Sequence, residues 1–152
     1  MKDEIIVTNR RAAHDFTVLE SLEVGMELRG TEVKSLRSHK ASLSDSFARV
    51  SNGELFIYNM HISPYEYGSY TNVDSKRRRK LLAHKSQIIK LANETSQKGI
   101  TLIPLRVYFK RGKAKLELAL AKGKREYDKR EAVKKREAKR EIERHFRGKT
   151  NL

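Results

Sequence analysis

The sequence predicts a mainly β fold: a small, partly open antiparallel barrel with one or two helices, followed by a basic C-terminal tail. Apolar and polar residues alternate over several short segments, which is the pattern of strands with one buried face. Two pairs of such segments flank Asn52-Gly53 and Arg111-Gly112 and are therefore predicted hairpins. A body of about 120 residues can bury one core and protect its edges if such a sheet closes on itself.

The strands nearest the N-terminus are the least regular. In DFTVLESLEV, four apolar residues share one parity: Phe16, Val18, Leu22 and Val24. The next run, MELRGTEVKSLR, has Gly30 at its middle, which predicts a bulge or a close backbone approach. The segment ASLSDSF is expected to add a short helical turn.

The two hairpins supply the most regular strands. Asn-Gly is the strongest short signal for a hairpin, because both turn positions favour positive φ. Pro104 has no N–H to donate, so its strand is expected at a sheet edge or beside a bulge. In the last strand, Leu116, Leu118 and Leu120 alternate with Lys115, Glu117 and Ala119.

One helix is predicted between the hairpins. Asp74 or Ser75 caps it, Gly99 ends it, and its apolar stripe has five members: Leu81, Leu82, Ile88, Ile89 and Ala92. The basic run 76–80 then falls at the start of the helix, where cations oppose the helix dipole. That placement indicates that these cations serve a partner rather than the helix.

The chain divides into a barrel body, residues 1–121, and a basic tail, residues 122–152. The tail is rich in Lys and Glu, which favour helix, but its apolar stripe is one residue wide: Ala138, Ile142 and Phe146. An isolated helix of this length is marginal in water. The tail is therefore expected to be disordered or fraying when free and to become helical on a partner.

Charge indicates the kind of partner. The formal net charge is +15, and roughly half of it lies in the tail. Such a balance favours a polyanion, nucleic acid first and an anionic membrane surface second. The chain has no cysteine, no secretory leader pattern at its N-terminus and no apolar run of the ~20 residues needed to span a bilayer. A cytoplasmic protein that does not enter a membrane is expected.

Catalytic patterns are missing from the sequence. The five histidines lack the spacing of metal ligands, and neither phosphate-binding glycine motif occurs. His14 and Asp15 resemble an acid–base pair, but adjacent residues on a strand point to opposite faces. The sequence therefore predicts no enzyme, no metal and no cofactor.

Basic clusters and aromatic residues are candidates for RNA contact. Asn9, Arg10 and Arg11 precede the first strand, and further cations follow Gly30 and residue 75. Any single cluster is equally well explained as a solvated loop, whereas all of them together favour nucleic-acid binding. Tyr65, Tyr67 and Tyr70 are candidates for base stacking, while Phe16 and Tyr58 are expected in the core or barrel wall.

Seven short motifs follow one another along the chain: NRRA with His14, E-x-G at 23–25, GTEVKSLR at 30–37, SDSF at 44–47, RKLL at 79–82 with His84, GITLIPL at 99–105 and AKGKREYDKR at 121–130. Their order and spacing resemble the SmpB family, the bacterial SsrA-binding (tmRNA-binding) proteins of trans-translation. The resemblance covers essentially the whole chain.

The resemblance implies a six-stranded OB-like barrel with peripheral helices. It also implies that the body binds the tRNA-like domain of tmRNA and delivers it, with elongation factor Tu, to ribosomes stalled on mRNA without a stop codon. The tail is then expected to enter the empty mRNA channel beside the decoding centre of 16S rRNA and to become helical there. A monomer with no cofactor is expected.

The resemblance also assigns residues. The RNA-binding set is Asn9, Arg10, Arg11, His14, Phe16, Glu23, Lys34, Arg37, Arg79, Lys80 and Leu82. The ribosome-binding set in the tail is Gly123, Lys124, Arg125, Asp128, Lys129 and Arg130. Phe16 stands where the family often has Tyr. Glu23 repels phosphate, so it is expected to accept hydrogen bonds from a base edge or a 2′-hydroxyl, or to orient an arginine.

Two other functions are in competition with the adaptor. One is a general basic OB-type RNA-binding or ribosomal protein, which would bind tmRNA, tRNA and random duplex alike. The other is an RNA hydrolase that depends on His14.

Overall fold

The computed structural model describes residues 4–68, 72–124 and 136–142. Its strands are β1 (Glu4–Thr8), β2 (Phe16–Met26), β3 (Ala41–Ser42), β4 (Phe47–Ser51), β5 (Glu54–Tyr58), β6 (His61–Ile62), β7 (Arg79–Leu82), β8 (Ile100–Lys110) and β9 (Lys113–Gly123). Its helices are α1 (Ala12–Asp15), α2 (Gly30–Arg37) and α3 (Lys85–Thr95). Residues 136–142 are helical as well.

Six strands close into a barrel. Their order is β8-β4-β5-β7-β2-β9, and β9 pairs back with β8, so the ring has no open edge between these two strands. All of the pairings are antiparallel. Strand β1 adds to β8 outside the ring, and β3 pairs with β6 in a separate ribbon. This confirms the mainly β fold and the six-stranded barrel that the family resemblance implied.

The barrel interior is the hydrophobic core. Leu116 and Leu118 of β9 are fully buried and Leu120 is 5% exposed, as their alternation with polar residues predicted. Leu55 and Ile57 of β5, across the barrel, and Leu102 of the neighbouring strand β8 are also fully buried, and α3 adds Leu91. Each such side chain contributes about 1.5–3 kcal/mol relative to an exposed one.

Both predicted hairpin turns are confirmed. Asn52 and Gly53 have φ of 51° and 76°, and Arg111 and Gly112 have φ of 52° and 76°. Two consecutive positive φ values match the right-handed twist of the paired strands. The predicted irregularity at Pro104 is confirmed too, since the β8–β9 register shifts between Pro104 and Arg106.

A bulge divides β2 into two halves that face different ways. The β2–β9 register shifts between Val18 and Glu20. After the bulge, Val24 lies in the core, whereas Phe16 packs on the outside of the barrel against a second apolar cluster of Ala12, Ile103, Ala119 and Ala121. Phe16 and Val24 share one parity in the sequence, yet they lie on opposite faces of the sheet, because the bulge inserts one extra residue between them.

Three predictions for the middle of the chain were wrong. Residues 30–37 form helix α2 rather than a strand: Glu32 accepts a hydrogen bond from the backbone N–H of Arg29 at 2.9 Å, which closes its first turn. Residues 79–82 form strand β7 rather than the start of a helix, because Leu81 pairs with Leu55 and Met26 in the core. The segment ASLSDSF holds strand β3 and a turn, not a helical turn.

Strand β7 also changes the setting of the basic run 76–80. The helix after β7 begins at Lys85, so the basic run 76–80 precedes a strand and does not oppose a helix dipole. Its charge needs a different explanation, which the site geometry supplies.

The body extends slightly beyond residue 121, since β9 runs to Gly123. Residues 136–142 of the tail are exposed. Residues 125–135 and 143–152 lie outside the described part of the chain, as do Tyr70 and Phe146. Folding of the tail on a partner therefore stays a prediction.

Replacing Leu118 by Ala tests the central position of β9 in the core. The side chain is fully buried, so its loss should leave a cavity and lower the free energy of unfolding by about 2–5 kcal/mol in a urea titration. Leu19→Ala is the matched control, because Leu19 is 52% exposed. Equal effects of the two changes would contradict the assigned register of β9.

Candidate nucleic-acid interface

A row of outward-facing residues crosses four neighbouring strands. Glu23 of β2 lies opposite Glu117 of β9, Glu117 lies opposite Arg106 of β8, and Arg106 lies opposite Thr8 of β1. These positions alternate with core residues, so their side chains point away from the barrel interior. Arg106 Nε donates to Glu117 Oε2 at 2.6 Å.

Asn9 follows directly on the last strand residue of this row. Its backbone N–H donates to the carbonyl of Leu105 at 2.8 Å, and its side-chain amide donates to the carbonyl of Pro104 at 2.9 Å. Both bonds fix Asn9 beside the middle of β8. The sequence-predicted residues Asn9 and Glu23 therefore lie on the same outer face, separated by two strands.

Glu23 is surrounded by donors. Its Oε2 accepts from the hydroxyl of Tyr108 at 2.6 Å and from Lys110 Nζ at 3.4 Å. The hydrogen bond from Tyr108, with the positive charges of Lys110 and Lys115, holds the pKa of Glu23 below its ordinary value, although partial burial acts in the opposite direction. Glu23 is therefore an ionised, exposed acceptor within a cationic surface.

An apolar notch of about 250 Å³ adjoins this row. Leu82 of β7 pairs with Gly25 of β2, which pairs in turn with Lys115 of β9. A Cβ at position 25 would lie 3.2 Å from the Cβ of Leu82, so glycine permits the close approach of the two strands. Leu82 is 48% exposed, so its side chain adds an accessible apolar surface beside the notch. The notch is completed by Met26, Leu28, Val33, Phe109, Gly112, Lys113 and Ala114.

Helix α2 brings two further predicted residues to this end of the barrel. The guanidinium of Arg37 stacks on the ring of Phe109, 4.6 Å from its centroid, and Phe109 lines the notch. Lys34 lies 5.2 Å from the ring centroid of Tyr65. Both residues are exposed, and their charged groups lie over aromatic rings, so the rings hold positive charge at a surface that phosphates can reach.

The structure corrects the prediction for Arg79. Its side chain is fully buried, and Nε donates to Glu32 Oε2 at 2.5 Å. Its other nitrogens donate to the backbone carbonyls of Met60 at 2.6 Å and Ser75 at 3.0 Å. The guanidinium is thus inside the protein rather than on its basic surface. Sequence reasoning missed Glu32, which has no local signal that marks it as the partner of a residue 47 positions away.

Its neighbour Lys80 does point outward. Lys80 lies opposite Phe56 of β5, and its Nζ is 3.3 Å from Glu54 Oε1. Arg78 stacks on the ring of Phe56 at 4.0 Å. The basic run 76–80 therefore covers the β5–β7 part of the wall, beside Leu82.

The N-terminal motif forms helix α1 on the outside of β8 and β9. Ala12 is buried in the outer apolar cluster, while Arg10 and Arg11 are exposed. His14 Nδ1 lies 2.8 Å from Asp15 Oδ1, so the expectation that these side chains point apart was wrong. The two residues belong to a helical turn rather than a strand, and the carboxylate orients the imidazole.

The start of the tail is attached to this helix. The backbone N–H of Lys124 donates to the carbonyl of Asp15 at 2.9 Å, and its Nζ donates to the carbonyl of Ala13 at 2.8 Å. Gly123 and Lys124 thereby meet Asn9, Arg11 and Phe16 at an open cleft of about 430 Å³. The remaining predicted tail residues, Arg125, Asp128, Lys129 and Arg130, lie outside the described part of the chain.

Three residues of this surface were missed by sequence reasoning: Arg106, Lys110 and Lys115. Their alternation with core residues marked them as outward-facing, but only the strand register shows that they lie beside Glu23. Within the described residues, no group of three or more His, Asp or Glu side chains is arranged to hold a metal ion. The helices described there are also too short or too polar to cross a membrane.

Comparison with known families agrees with these motifs. The family model described as SmpB protein matches residues 6–148. The chain belongs to the SmpB family.

Members of the SmpB family resemble the chain over its whole length. The SsrA-binding protein of Pelotomaculum thermopropionicum is 57% identical over 152 residues, which is 100% of this chain and 99% of the relative. That of Desulforudis audaxviator is 59% identical over 147 residues, 97% and 96% of the two chains. A solved structure described as "tmRNA-SmpB: a journey to the center of the bacterial ribosome" contains a chain with 53% identity and a TM-score of 0.68, covering 84% of this chain and 93% of that one.

Removal of the Tyr108 hydroxyl tests the environment of Glu23. In Tyr108→Phe the main hydrogen bond to the carboxylate is lost, so the pKa of Glu23 should rise toward its ordinary value in an NMR titration of its side-chain carboxyl carbon. Tyr58→Phe removes a hydroxyl from the far wall and should leave the titration unchanged. An unaltered pKa in Tyr108→Phe would show that the cations alone hold Glu23 ionised.

Proposed function

We propose that this protein is an RNA-binding adaptor that takes tmRNA (SsrA RNA) to ribosomes stalled on mRNA without a stop codon. The body binds the tRNA-like domain of the RNA. The observation that carries this proposal is full-length membership of the SmpB family, whose relatives are named for SsrA binding. The outer face of β2, β9 and β8 supplies a surface with suitable chemistry.

That face combines two kinds of contact. Lys110, Lys113 and Lys115 offer positive charge for phosphates, which carries affinity without sequence or shape selectivity. Glu23 and Leu82 carry no positive charge and therefore cannot attract phosphates. An ionised carboxylate accepts hydrogen bonds from a base edge or a 2′-hydroxyl, and an exposed leucine packs on a base or ribose, so these two residues give selectivity.

In this proposal the tail, predicted as residues 122–152 and continuing from the end of β9 at Gly123, binds the ribosome. It enters the empty mRNA channel beside the decoding centre of 16S rRNA, with Gly123 through Arg130 nearest to that centre, and folds as a helix there. Its i,i+4 pairs of Glu with Lys or Arg support a helix that has no core of its own to pack on. Elongation factor Tu accompanies the complex, and the protein acts in the cytoplasm as a monomer without catalysing a reaction.

Reversal of the charge at Glu23 separates selective recognition from general RNA binding. Glu23→Lys adds positive charge, yet it should weaken binding to the tRNA-like domain by roughly tenfold, the loss of one charge-assisted hydrogen bond of about 1.5 kcal/mol. Affinity is measured by competition gel shift against tRNA and random duplex. Glu20→Lys is the matched control on the same strand, since Glu20 pairs with Lys90 of α3. Tighter binding by Glu23→Lys, with no preference among the RNAs, would favour a general basic RNA-binding protein.

Truncation after Lys124 separates the two ends of the adaptor. The cut keeps β9 and the bonds from Lys124 to α1, so the affinity for the tRNA-like domain should stay within a few-fold of the full chain. Addition of the tmRNA-encoded tag to stalled products in a reconstituted translation system should be abolished. If RNA affinity and tagging fell together, the division between body and tail would be contradicted.

A further inference from the structure

We infer that Glu32 and Arg79 are positioning residues that hold the basic segment 74–78 against helix α2, so that two distant basic segments present their charges together. The inference rests on the proposed binding of RNA by the body. Neither residue is itself offered as an RNA contact, because both are buried.

A single carboxylate holds two guanidinium groups. Glu32 Oε2 accepts from Arg79 Nε at 2.5 Å. Glu32 Oε1 accepts from Arg77 Nε at 3.2 Å, from Arg77 Nη2, and from the backbone N–H of Arg29 at 2.9 Å. Helix α2 is thereby joined to the segment before β7 by charge-assisted hydrogen bonds, which are stronger than neutral ones.

Arg79 also donates hydrogen bonds to three backbone carbonyls. Its Nη2 donates to Ser75 O at 3.0 Å, and its Nη1 donates to Arg77 O at 3.3 Å and to Met60 O at 2.6 Å. Two of these three acceptors belong to the basic segment itself. The buried guanidinium therefore fixes the path of the backbone rather than any exposed side chain.

The path of this backbone determines where the exposed cations of the segment lie. With the carbonyls of Ser75 and Arg77 turned inward to Arg79, the side chains of Lys76 and Arg78 lie on the exposed surface. Asp74 supports the same turn by accepting from the backbone N–H of Lys76 at 2.8 Å. On the other side of the pair, α2 carries Lys34 outward over the ring of Tyr65 and Arg37 outward over Phe109, which lines the notch.

The pair is well suited to this task because it remains charged. Burial alone would raise the pKa of Glu32, but hydrogen bonds from Arg77, the Arg29 N–H and Arg79 hold it below its ordinary value. Because the pKa of Glu32 is lowered in the folded state, ionisation of this carboxyl contributes stability above its unfolded-state pKa, and that contribution is lost as the pH falls through the folded-state pKa. Burial also lowers the pKa of Arg79, so the guanidinium keeps its charge at the cost of desolvation and needs the Glu32 carboxylate beside it. A buried charge without its partner is strongly destabilising, so both residues are needed together.

Two conservative variants test the inference without opening the core. Glu32→Gln keeps the size and one acceptor oxygen but loses the charge, and Arg79→Lys keeps the charge but loses the fork that reaches Ser75 and Arg77. Leu91→Ala is the control, since it weakens the packing of α3 without touching the cluster. All are compared with the wild-type chain at a temperature where circular dichroism shows each variant folded.

The first readout is amide hydrogen exchange in the free protein. Either conservative variant should speed exchange at residues 75–78 by roughly tenfold or more, whereas Leu91→Ala should leave these amides unchanged relative to the rest of the body. Unchanged protection of residues 75–78 in both variants would overturn the inference.

The second readout is the salt dependence of RNA binding, which counts phosphate contacts. Both variants should lower the slope of log affinity against log salt by about one to two, since each lost contact removes roughly 0.7–0.9 from it. Leu91→Ala should keep the wild-type slope. Faster exchange with an unchanged slope would mean that the pair is merely structural.

The same titrations distinguish a failure of the positioning role of Glu32 and Arg79 from a failure of the proposed adaptor function. Each variant is measured on the tRNA-like domain and on a random RNA duplex. Loss of slope on both RNAs in the variants supports the positioning role. A wild-type chain that binds the two RNAs equally would count against the proposed adaptor function, and it would leave the comparison of slopes as the test of Glu32 and Arg79.

Discussion

The pairing of β9 with strands on both of its sides is the constraint on which the rest of the structure depends. β9 pairs with β8 from Ile100–Lys122 to Lys110–Lys113, and with β2 from Phe16–Gly123 to Gly25–Lys115. These two ladders close the barrel. The same strand sends Leu116, Leu118 and Leu120 into the core and Lys115 and Glu117 to the outer face. A slip of one residue would exchange these sets, so core packing and the binding surface are specified by one register.

The outer face is defined by more than its positive charge. Lysines alone would give affinity for any phosphate backbone and a steep dependence on salt. Glu23 at the β2 end of the row weakens such binding, and its hydrogen bond from Tyr108 helps to keep it ionised. An exposed leucine beside a glycine-lined notch adds an apolar contact. Selectivity then arises from acceptor geometry and shape, while the surrounding cations supply affinity.

Local chemistry explains which parts of the fold were predictable. The Asn52-Gly53 turn, the alternation in β9 and the irregularity at Pro104 each follow from the conformational preference of a few adjacent residues. Helix α2 and strand β7 do not. The apolar residues from Leu81 to Ala92 continue a helical period, yet Arg79–Leu82 is a strand because β5 and β2 pair with it. Tertiary pairing overrides local propensity at that position.

Residues of the proposed site could be assigned where a motif contains them, whereas neighbours that meet only through strand register could not. The family motifs identified Asn9, Glu23, Leu82 and the cations of α2. Tyr108, Lys110 and Lys115 are distant from Glu23 in sequence and reach it through two strand pairings. Arg79 was assigned to the RNA-binding surface because it lies in a basic run that matches the basic surface implied by the family resemblance. Its burial requires Glu32 from another segment, and no local pattern reports that partner.

The central claim is that the outer face of β2, β9 and β8, with the notch at Leu82, binds the tRNA-like domain. The most direct test is chemical-shift mapping of the isotope-labelled full-length protein titrated with that RNA domain. The account predicts that the largest amide changes occur at Glu23, Gly25, Leu82 and Lys115, with little change at Phe47 and Arg49 of β4, the strand opposite β2 in the ring. Changes centred on the β4–β5 wall, with β2 and β9 unaffected, would contradict it.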